Sequence, residues 1–252
     1  LRRALELASI QQQDAALALL HDVLSNRRNR TWSLPLEHVM MAYLDLCIAH
    51  NKAREAKDGL HQYRNLSQST APGSLEKVIR HLMSHAESKC SQAKALADRM
   101  AAAEDGSAAE PSAADDDLDM DGEMSSTLWL TSMSTDPSAQ RRDAVILLPA
   151  LKFLWETYRA VLDILKTNSK LEHVYHATAV NALRFCREYE RRNEFRRLCE
   201  MMRTHLGNLQ KFGSNSHLES DENKMSYKVR GWEGWSAEAI ELHLQTRFAQ
   251  LE

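Results

Sequence analysis

The sequence predicts an all-α protein, a right-handed α-solenoid of tetratricopeptide-like helical hairpins interrupted by one acidic linker. Ala, Leu, Glu, Arg and Gln, which are strong helix formers, dominate the 252 residues, and there are only 8 Gly and 5 Pro. Apolar residues recur at the spacing of one helix face, and no alternating run predicts a sheet. A weak repeat with a period of 37 residues relates the apolar triplets Ala16, Leu19, Val23 and Ala53, Ala56, Leu60, with Phe195, Leu198, Met202 as a third copy. An irregular helical bundle is the alternative.

Residues 1–101 are predicted to form a helical-repeat segment of about five helices. Segments 4–10 and 14–24 are predicted to form a hairpin that turns at "QQQ", and segments 36–47 and 52–63 follow, with Pro35 in a first-turn position. "TAPG" (70–73) is a turn, after which Ser74 is predicted to cap a long helix that reaches about Met100.

Residues 102–140 are predicted to be an acidic, low-complexity linker with a short docked segment, and residues 141–252 to continue the helical repeats. Three helices are expected from Pro149, from about Lys170 and from residue 193. Ser236 is predicted to cap a final helix that carries Glu238 in its first turn.

The charge is distributed unevenly along the chain. The formal net charge is −3, yet residues 101–140 contain ten acids and no Lys or Arg. The rest of the chain therefore carries +7, which describes a moderately basic helical body around an acidic linker.

Cysteine use and hydropathy point to an intracellular protein. The four cysteines form no CxxC pair and are predicted to be reduced thiols on helix faces. No apolar stretch reaches 18 residues and no signal peptide opens the chain, so a soluble protein is expected. The first residue is leucine, which indicates a piece of a longer protein.

Motifs of catalysis and of metal binding are weak. The sequence has no glycine-rich phosphate loop, no GxSxG and no HExxH, so no enzyme, cofactor or metal is predicted. His81 and His85 have the i, i+4 spacing of metal ligands, but the sequence shows no third ligand, and His173 and His176 are interpreted in the same way. "DLDMDG" (117–122) matches half of an EF-hand loop, yet Leu128 stands where the bidentate Glu belongs.

Basic clusters are the candidate contact sites. "NRRNRTW" (26–32) lies in a predicted turn, where its arginines can reach phosphate or an acidic protein, while Trp32 is expected to fold under the next helix. Residues 151–213 hold twelve basic against seven acidic side chains. The candidates for partner or RNA contact are Arg27, Arg28, Arg30, Arg191, Arg192, Arg196, Arg197, Arg203 and Lys211. Trp129, in "STLWL" (126–130), is predicted to pin the linker onto the helices; a partner-docking motif is the alternative.

Long stretches of the chain resemble the amino-terminal part of the a subunit of eukaryotic translation initiation factor 3. They are, in the same order, "LLHDVLSNRRNRTW", "YLDLC" followed by "AKDGLHQYRNL", "KFLWETYRAVLDIL", "FCREYERRNEFRRLCEMMRTHL" and "HLQTRFAQLE".

The resemblance implies a non-catalytic, cytoplasmic scaffold whose helical repeats lead toward a PCI domain that this chain does not include. It also implies other factor subunits, small ribosomal subunit proteins near the mRNA exit side, rRNA, mRNA and other initiation factors as partners, and no membrane. Two alternatives remain at this point. One is a direct RNA-binding module that uses the basic helices, and the other is a related PCI scaffold of the proteasome lid or signalosome.

Overall fold

The computed structural model describes residues 1–26, 29, 31–68, 70–104, 143–212 and 235–251. These residues contain nine α-helices and no strand. The helices are α1 (Arg2–Ser9), α2 (Gln13–Ser25), α3 (Leu34–Ala49), α4 (Ala53–Ser67), α5 (Pro72–Glu104), α6 (Leu148–Leu165), α7 (Glu172–Glu188), α8 (Arg192–Phe212) and α9 (Ala237–Phe248). A π-helical turn (Asp143–Leu147) precedes α6 and a 3₁₀ turn (Ser169–Leu171) precedes α7. The predicted all-α class is confirmed.

Helices pack in the order of the chain, as they do in an α-solenoid. Each of α1 to α4 contacts the next helix, α5 packs on α3, α4 and α6, and α7 packs on α6, α8 and α9. Helices α3, α5 and α7 run parallel to one another. Among the polar contacts that join them, residues later in one helix contact residues later in the other. These contacts are Glu37–Lys77 (3.0 Å) and Asp45–His81 (2.6 Å) between α3 and α5, and Glu76–His173 (3.2 Å), Glu87–Asn181 (3.2 Å) and Glu188–Lys94 (3.1 Å) between α5 and α7. Stacked hairpins with parallel first helices confirm the predicted solenoid.

Three hairpin turns share one main-chain geometry. Gln11, Asn51 and Glu190 have φ of 64°, 55° and 50°, and each follows the last residues of α1, α3 or α7. In each case the next residue donates its N–H to a carbonyl five positions back, which is the Schellman motif; at the α7–α8 turn this is Arg191 N–H to Cys186 O, 2.7 Å.

The turns also correct the repeat spacing. Ala16 and Ala56 occupy the same place in the repeat, because each follows the left-handed residue of its own turn, Gln11 or Asn51, by the same number of positions. Both side chains are buried. The two residues are 40 positions apart in the sequence, so the predicted period of 37, which paired Ala16 with Ala53, is wrong.

One continuous apolar core runs along the stack from Ala4 to Met202. Helix α6 lies at its centre, between α4 and α5 on one side and α7 on the other. Twelve of the 18 residues of α6 are buried, so the helix is apolar around most of its circumference. The sequence predicted this helix from the one stripe that includes Leu154 and Tyr158, but Phe153 and Ile164 outside that stripe are buried as well.

Helix ends agree with prediction at one serine and differ at another. Ser236 caps α9, because its Oγ accepts the N–H of Ala239 at 3.0 Å. Ser74 does not cap α5, since the helix already begins at Pro72, whose fixed φ and missing N–H suit the first position. Helix α5 also runs to Glu104, past the predicted boundary at residue 101.

Ser74 belongs instead to a buried polar network that joins α3, α4 and α5. Its hydroxyl donates to the Glu37 carboxylate, which also accepts from Lys77, and it lies 2.5 Å from the Tyr63 hydroxyl. The Trp32 indole N–H lies 3.0 Å from Tyr63 Oη and 2.9 Å from Ser74 Oγ. The Trp32 ring is therefore structural, as predicted, and its indole N–H is held by side chains of α4 and α5.

The cysteines of the described residues are free thiols, as predicted. Cys47, Cys90 and Cys186 are buried and Cys199 is partly buried. Burial is the main cause that raises the pKa of Cys47 and of Cys186 to about 12. These thiols therefore stay protonated at neutral pH and act as small apolar side chains.

Candidate interaction surfaces

The turn between α7 and α8 creates the first cationic surface. Arg187 lies in the last turn of α7, and Arg192 and Arg196 lie on the first turns of α8; all three side chains are exposed. They line a hollow of about 550 Å³, and Phe195 adds an apolar wall. Guanidinium groups around an open hollow suit phosphate or carboxylate ligands, because the planar fork donates two parallel hydrogen bonds.

Arg191 and Glu190 also line that hollow, but the Arg191 side chain, unlike those of the other arginines, is buried. Its residue is 3% exposed, and the guanidinium pairs with Glu194, which is 6% exposed. The turn geometry explains the burial, because the Schellman bond to Cys186 draws Arg191 back over the end of α7. Arg191 therefore holds the α7–α8 turn together, and the exposed arginines of the hollow are Arg187, Arg192 and Arg196.

The remaining candidates on α8 lie further along the helix. Arg197 and Lys211 are exposed. Arg203 is exposed too, but its guanidinium is 2.6 Å from the Glu200 carboxylate, so part of its charge is neutralised locally. The outer face of α8 is thus positive mainly in its first two turns.

Several predicted contact residues lie outside the described residues. They are Arg27, Arg28 and Arg30 in the α2–α3 connection, and Trp129 in the acidic segment. Asn29, between those arginines, donates from Nδ2 to the carbonyl of Val23 at 2.8 Å, and Trp32 anchors the other end of the connection. The connection is therefore fixed to the solenoid at two described points.

A second cationic surface, which the sequence reasoning missed, lies at the turn between α3 and α4. Arg54, Lys57 and Lys152 are exposed and line a hollow of about 670 Å³. Lys152 comes from the first turns of α6, close to residues that precede it by about a hundred positions because α4 packs on α6. Only the fold brings these three cations together.

The α3–α4 surface has an apolar floor and both basic and acidic side chains around it. Pro149 and the buried Phe153 provide apolar area. Lys52, at the rim, lies 3.4 Å from Asp14. Two carboxylates, Glu55 and Glu156, also line the hollow, and Glu156 pairs with Arg159 at 2.8 Å. The four cations outnumber the two carboxylates, so the surface keeps a net positive charge.

No helix among the described residues is both long enough and apolar enough to cross a membrane.

Comparisons with known proteins identify the family. The family described as "eIF3a, PCI domain, TPR-like region" matches residues 1–252. Over all 252 residues the chain is 42% identical to the A subunit of eukaryotic translation initiation factor 3 from Arabidopsis thaliana, and 39% identical to the proteins of that name from Coccidioides immitis and Aspergillus niger. The chain covers 22–23% of the length of these relatives.

The chain belongs to the family of the A subunit of eukaryotic translation initiation factor 3. The predicted resemblance is confirmed, and the alternative of a proteasome-lid or signalosome scaffold is wrong. The matching family is that of a translation-factor subunit.

Proposed function

We propose that this chain is a non-catalytic scaffold segment of initiation factor 3, which assembles other subunits and binds the small ribosomal subunit on its mRNA exit side in the cytoplasm. The observation that supports this most is family membership over the whole chain, combined with a solenoid whose turns expose two cationic surfaces. An elongated stack of hairpins offers long edges to several partners at once.

The two surfaces fit the proposed partners by charge. Ribosomal RNA presents phosphates, and disordered acidic segments of protein subunits present carboxylates; both accept from Arg and Lys. The proposed partners are therefore other factor subunits, small-subunit proteins with the adjoining rRNA, mRNA and other initiation factors.

A pull-down with two charge-reversal variants tests the scaffold proposal. The wild-type chain is expected to recover other factor subunits and small-subunit proteins. Arg192→Glu/Arg196→Glu is expected to reduce recovery of the ribosomal subunit. The matched control is Arg2→Glu/Arg3→Glu, which reverses two exposed arginines of α1 and is expected to recover both sets of partners normally.

Two outcomes would contradict the proposal. A folded wild-type chain that recovers neither factor subunits nor small-subunit proteins removes the scaffold role. Equal loss of ribosomal subunits with both double variants would show that total charge matters and the α7–α8 surface does not.

Direct RNA binding is the second candidate, favoured by the excess of basic side chains on α7 and α8 and by the open hollow between them. Affinity for a single-stranded RNA should then fall with salt, with a slope of about −0.7 per phosphate contact in log–log form. Arg192→Glu/Arg196→Glu should make that slope shallower, and Arg2→Glu/Arg3→Glu should not. An unchanged slope in the first variant excludes phosphate contact there.

A further inference from the structure

Helices α3 and α5 bring two histidines and one carboxylate together at the edge of the stack. His81 and His85 lie one turn apart on α5, and Asp45 faces them from α3. One oxygen of Asp45 and one ring nitrogen from each histidine lie within 4.8 Å of one another. The two imidazole rings are 4.0 Å apart between centroids. The third ligand, absent from the local sequence, is thus supplied by the packing of α3 on α5.

Existing hydrogen bonds orient the side chains of this Asp45/His81/His85 cluster. His81 Nε2 and Asp45 Oδ1 are 2.6 Å apart, so the two groups already point at each other. His85 Nδ1 donates to the His81 carbonyl at 2.8 Å, which leaves the lone pair of the neutral ring on Nε2. Metal-binding histidines commonly donate their second ring N–H to a backbone carbonyl in this way.

The cluster stands on a rigid base and is open to solvent. Leu44 and Leu82, the neighbours of two of its members, are fully buried, so the backbones of α3 and α5 are fixed beneath it. The side chains of His81 and Asp45 are 22% and 50% exposed, and His85 is exposed. An ion can therefore enter without opening the core, and water can complete its coordination.

We propose that Asp45, His81 and His85 bind a divalent transition-metal ion of the Zn²⁺ class. Two imidazoles and one carboxylate suit Zn²⁺, Co²⁺ or Ni²⁺, whereas Mg²⁺ and Ca²⁺ prefer oxygen ligands. On binding, His81 moves its N–H from Nε2 to Nδ1, and the ion takes Nε2 and Asp45 Oδ1 in place of the hydrogen they share. The ion then cross-links α3 to α5.

Isothermal titration calorimetry with ZnCl₂ tests the site, with MgCl₂ as the comparison ion. The wild-type 252-residue chain is expected to bind one equivalent of Zn²⁺. The Zn²⁺ affinities of His85→Gln and of Asp45→Asn are each expected to be roughly tenfold lower, or lower still. The control is His173→Gln, because His173 pairs with one carboxylate, Glu76, at 3.2 Å, and the metal-ligand cluster does not include it. This variant is expected to keep the full Zn²⁺ affinity.

Folding of the variants does not limit the test, since the changed side chains are exposed or partly exposed and far-UV circular dichroism reports the helix content. Asp45→His is expected to keep or raise the Zn²⁺ affinity, because a third imidazole should bind Zn²⁺ at least as tightly as the carboxylate does. Equal Zn²⁺ affinity in wild type, His85→Gln and Asp45→Asn overturns the proposal. So does equal weakening in His173→Gln, or equal affinity for Mg²⁺ and Zn²⁺ in the wild type.

Discussion

Gly59 allows α3 and α4 to approach closely. The change in stability caused by Gly59→Ala should report how little space is left between the two helices. A Cβ built at Gly59 meets Cε1 of Tyr43 well inside van der Waals contact and lies 3.0 Å from its Cδ1. The Tyr43 ring cannot easily move aside, because it is 1% exposed and its hydroxyl donates to the carbonyl of Glu55 at 2.8 Å. Overpacking of this kind costs about 1–3 kcal/mol.

The same substitution also has a favourable effect, and a second glycine isolates it. Alanine stabilises a helix interior by about 0.8–1 kcal/mol relative to glycine. A Cβ placed at Gly207, inside α8, meets nothing within 4 Å, so Gly207→Ala should be stabilising by about that amount. Gly59→Ala should change the free energy of unfolding by roughly 0–2 kcal/mol in the destabilising direction, which is the overpacking cost less the helical gain.

Urea unfolding of the two alanine variants measures the difference directly. A separation of about 2 kcal/mol corresponds to melting temperatures about 4–8 °C apart for a chain of this size. In the Gly59→Ala background, Tyr43→Leu should cost less than it does alone, since the smaller side chain relieves the clash. Equal stability of Gly59→Ala and Gly207→Ala, or additive effects of the Tyr43→Leu pair, would refute the close approach of α3 and α4.

Three further predictions concern buried charge. Burial raises the pKa of Glu37, but its hydrogen bonds outweigh burial and leave that pKa below its usual value. The carboxylate therefore stabilises the fold above about pH 4.3, and the stabilisation is lost as pH falls below that value. Ser74→Ala should lower the free energy of unfolding by about 1–3 kcal/mol at pH 7. It should also make the urea midpoint fall less between pH 7 and acidic pH than it does in the wild type. Glu194→Gln should lower the free energy of unfolding by about 3–5 kcal/mol, because it removes the carboxylate that pairs with the buried Arg191 guanidinium, whereas replacing both residues with Met should be nearly neutral in chemical denaturation. Burial, and secondarily a neighbouring carboxylate, raises the pKa of Glu172 to about 7, so its charge opposes folding as pH rises from about 4.3 through 7; Glu172→Gln should raise the urea midpoint more at pH 8 than at pH 5.

The helices were predictable because their signal is local. Apolar residues three and four positions apart mark the buried face of each helix, and the cap at Ser236 uses an N–H only three residues away. Ser74 looked equally suitable, but its hydroxyl is used by Glu37 on another helix. A cap prediction of this kind fails when a tertiary partner competes for the same hydroxyl, and nothing near Ser74 in the sequence shows that partner.

The candidate sites were less predictable because they join distant parts of the chain. The sequence counted Arg191 among exposed arginines, since its burial depends on the turn that brings Glu194 under it. It also rejected His81 and His85 as ligands, since Asp45 lies 36 positions earlier. Charge and spacing reveal which residues are available, while the stacking of helices decides which of them meet.

The two cationic surfaces occupy corresponding places in the repeat. The α3–α4 surface includes Asn51 and the α7–α8 surface includes Glu190, the left-handed residues of two equivalent hairpin turns. In a solenoid, equivalent turns lie along the same edge, because each hairpin stacks on the last with a small, constant rotation. A single extended polyanion can then contact both surfaces, and the second contact is made at the high effective concentration set by the first. Reversing Lys57 and Lys152 should therefore weaken RNA binding further when Arg192 and Arg196 are intact than when they are already reversed, and equal effects in the two backgrounds would show that the surfaces act separately.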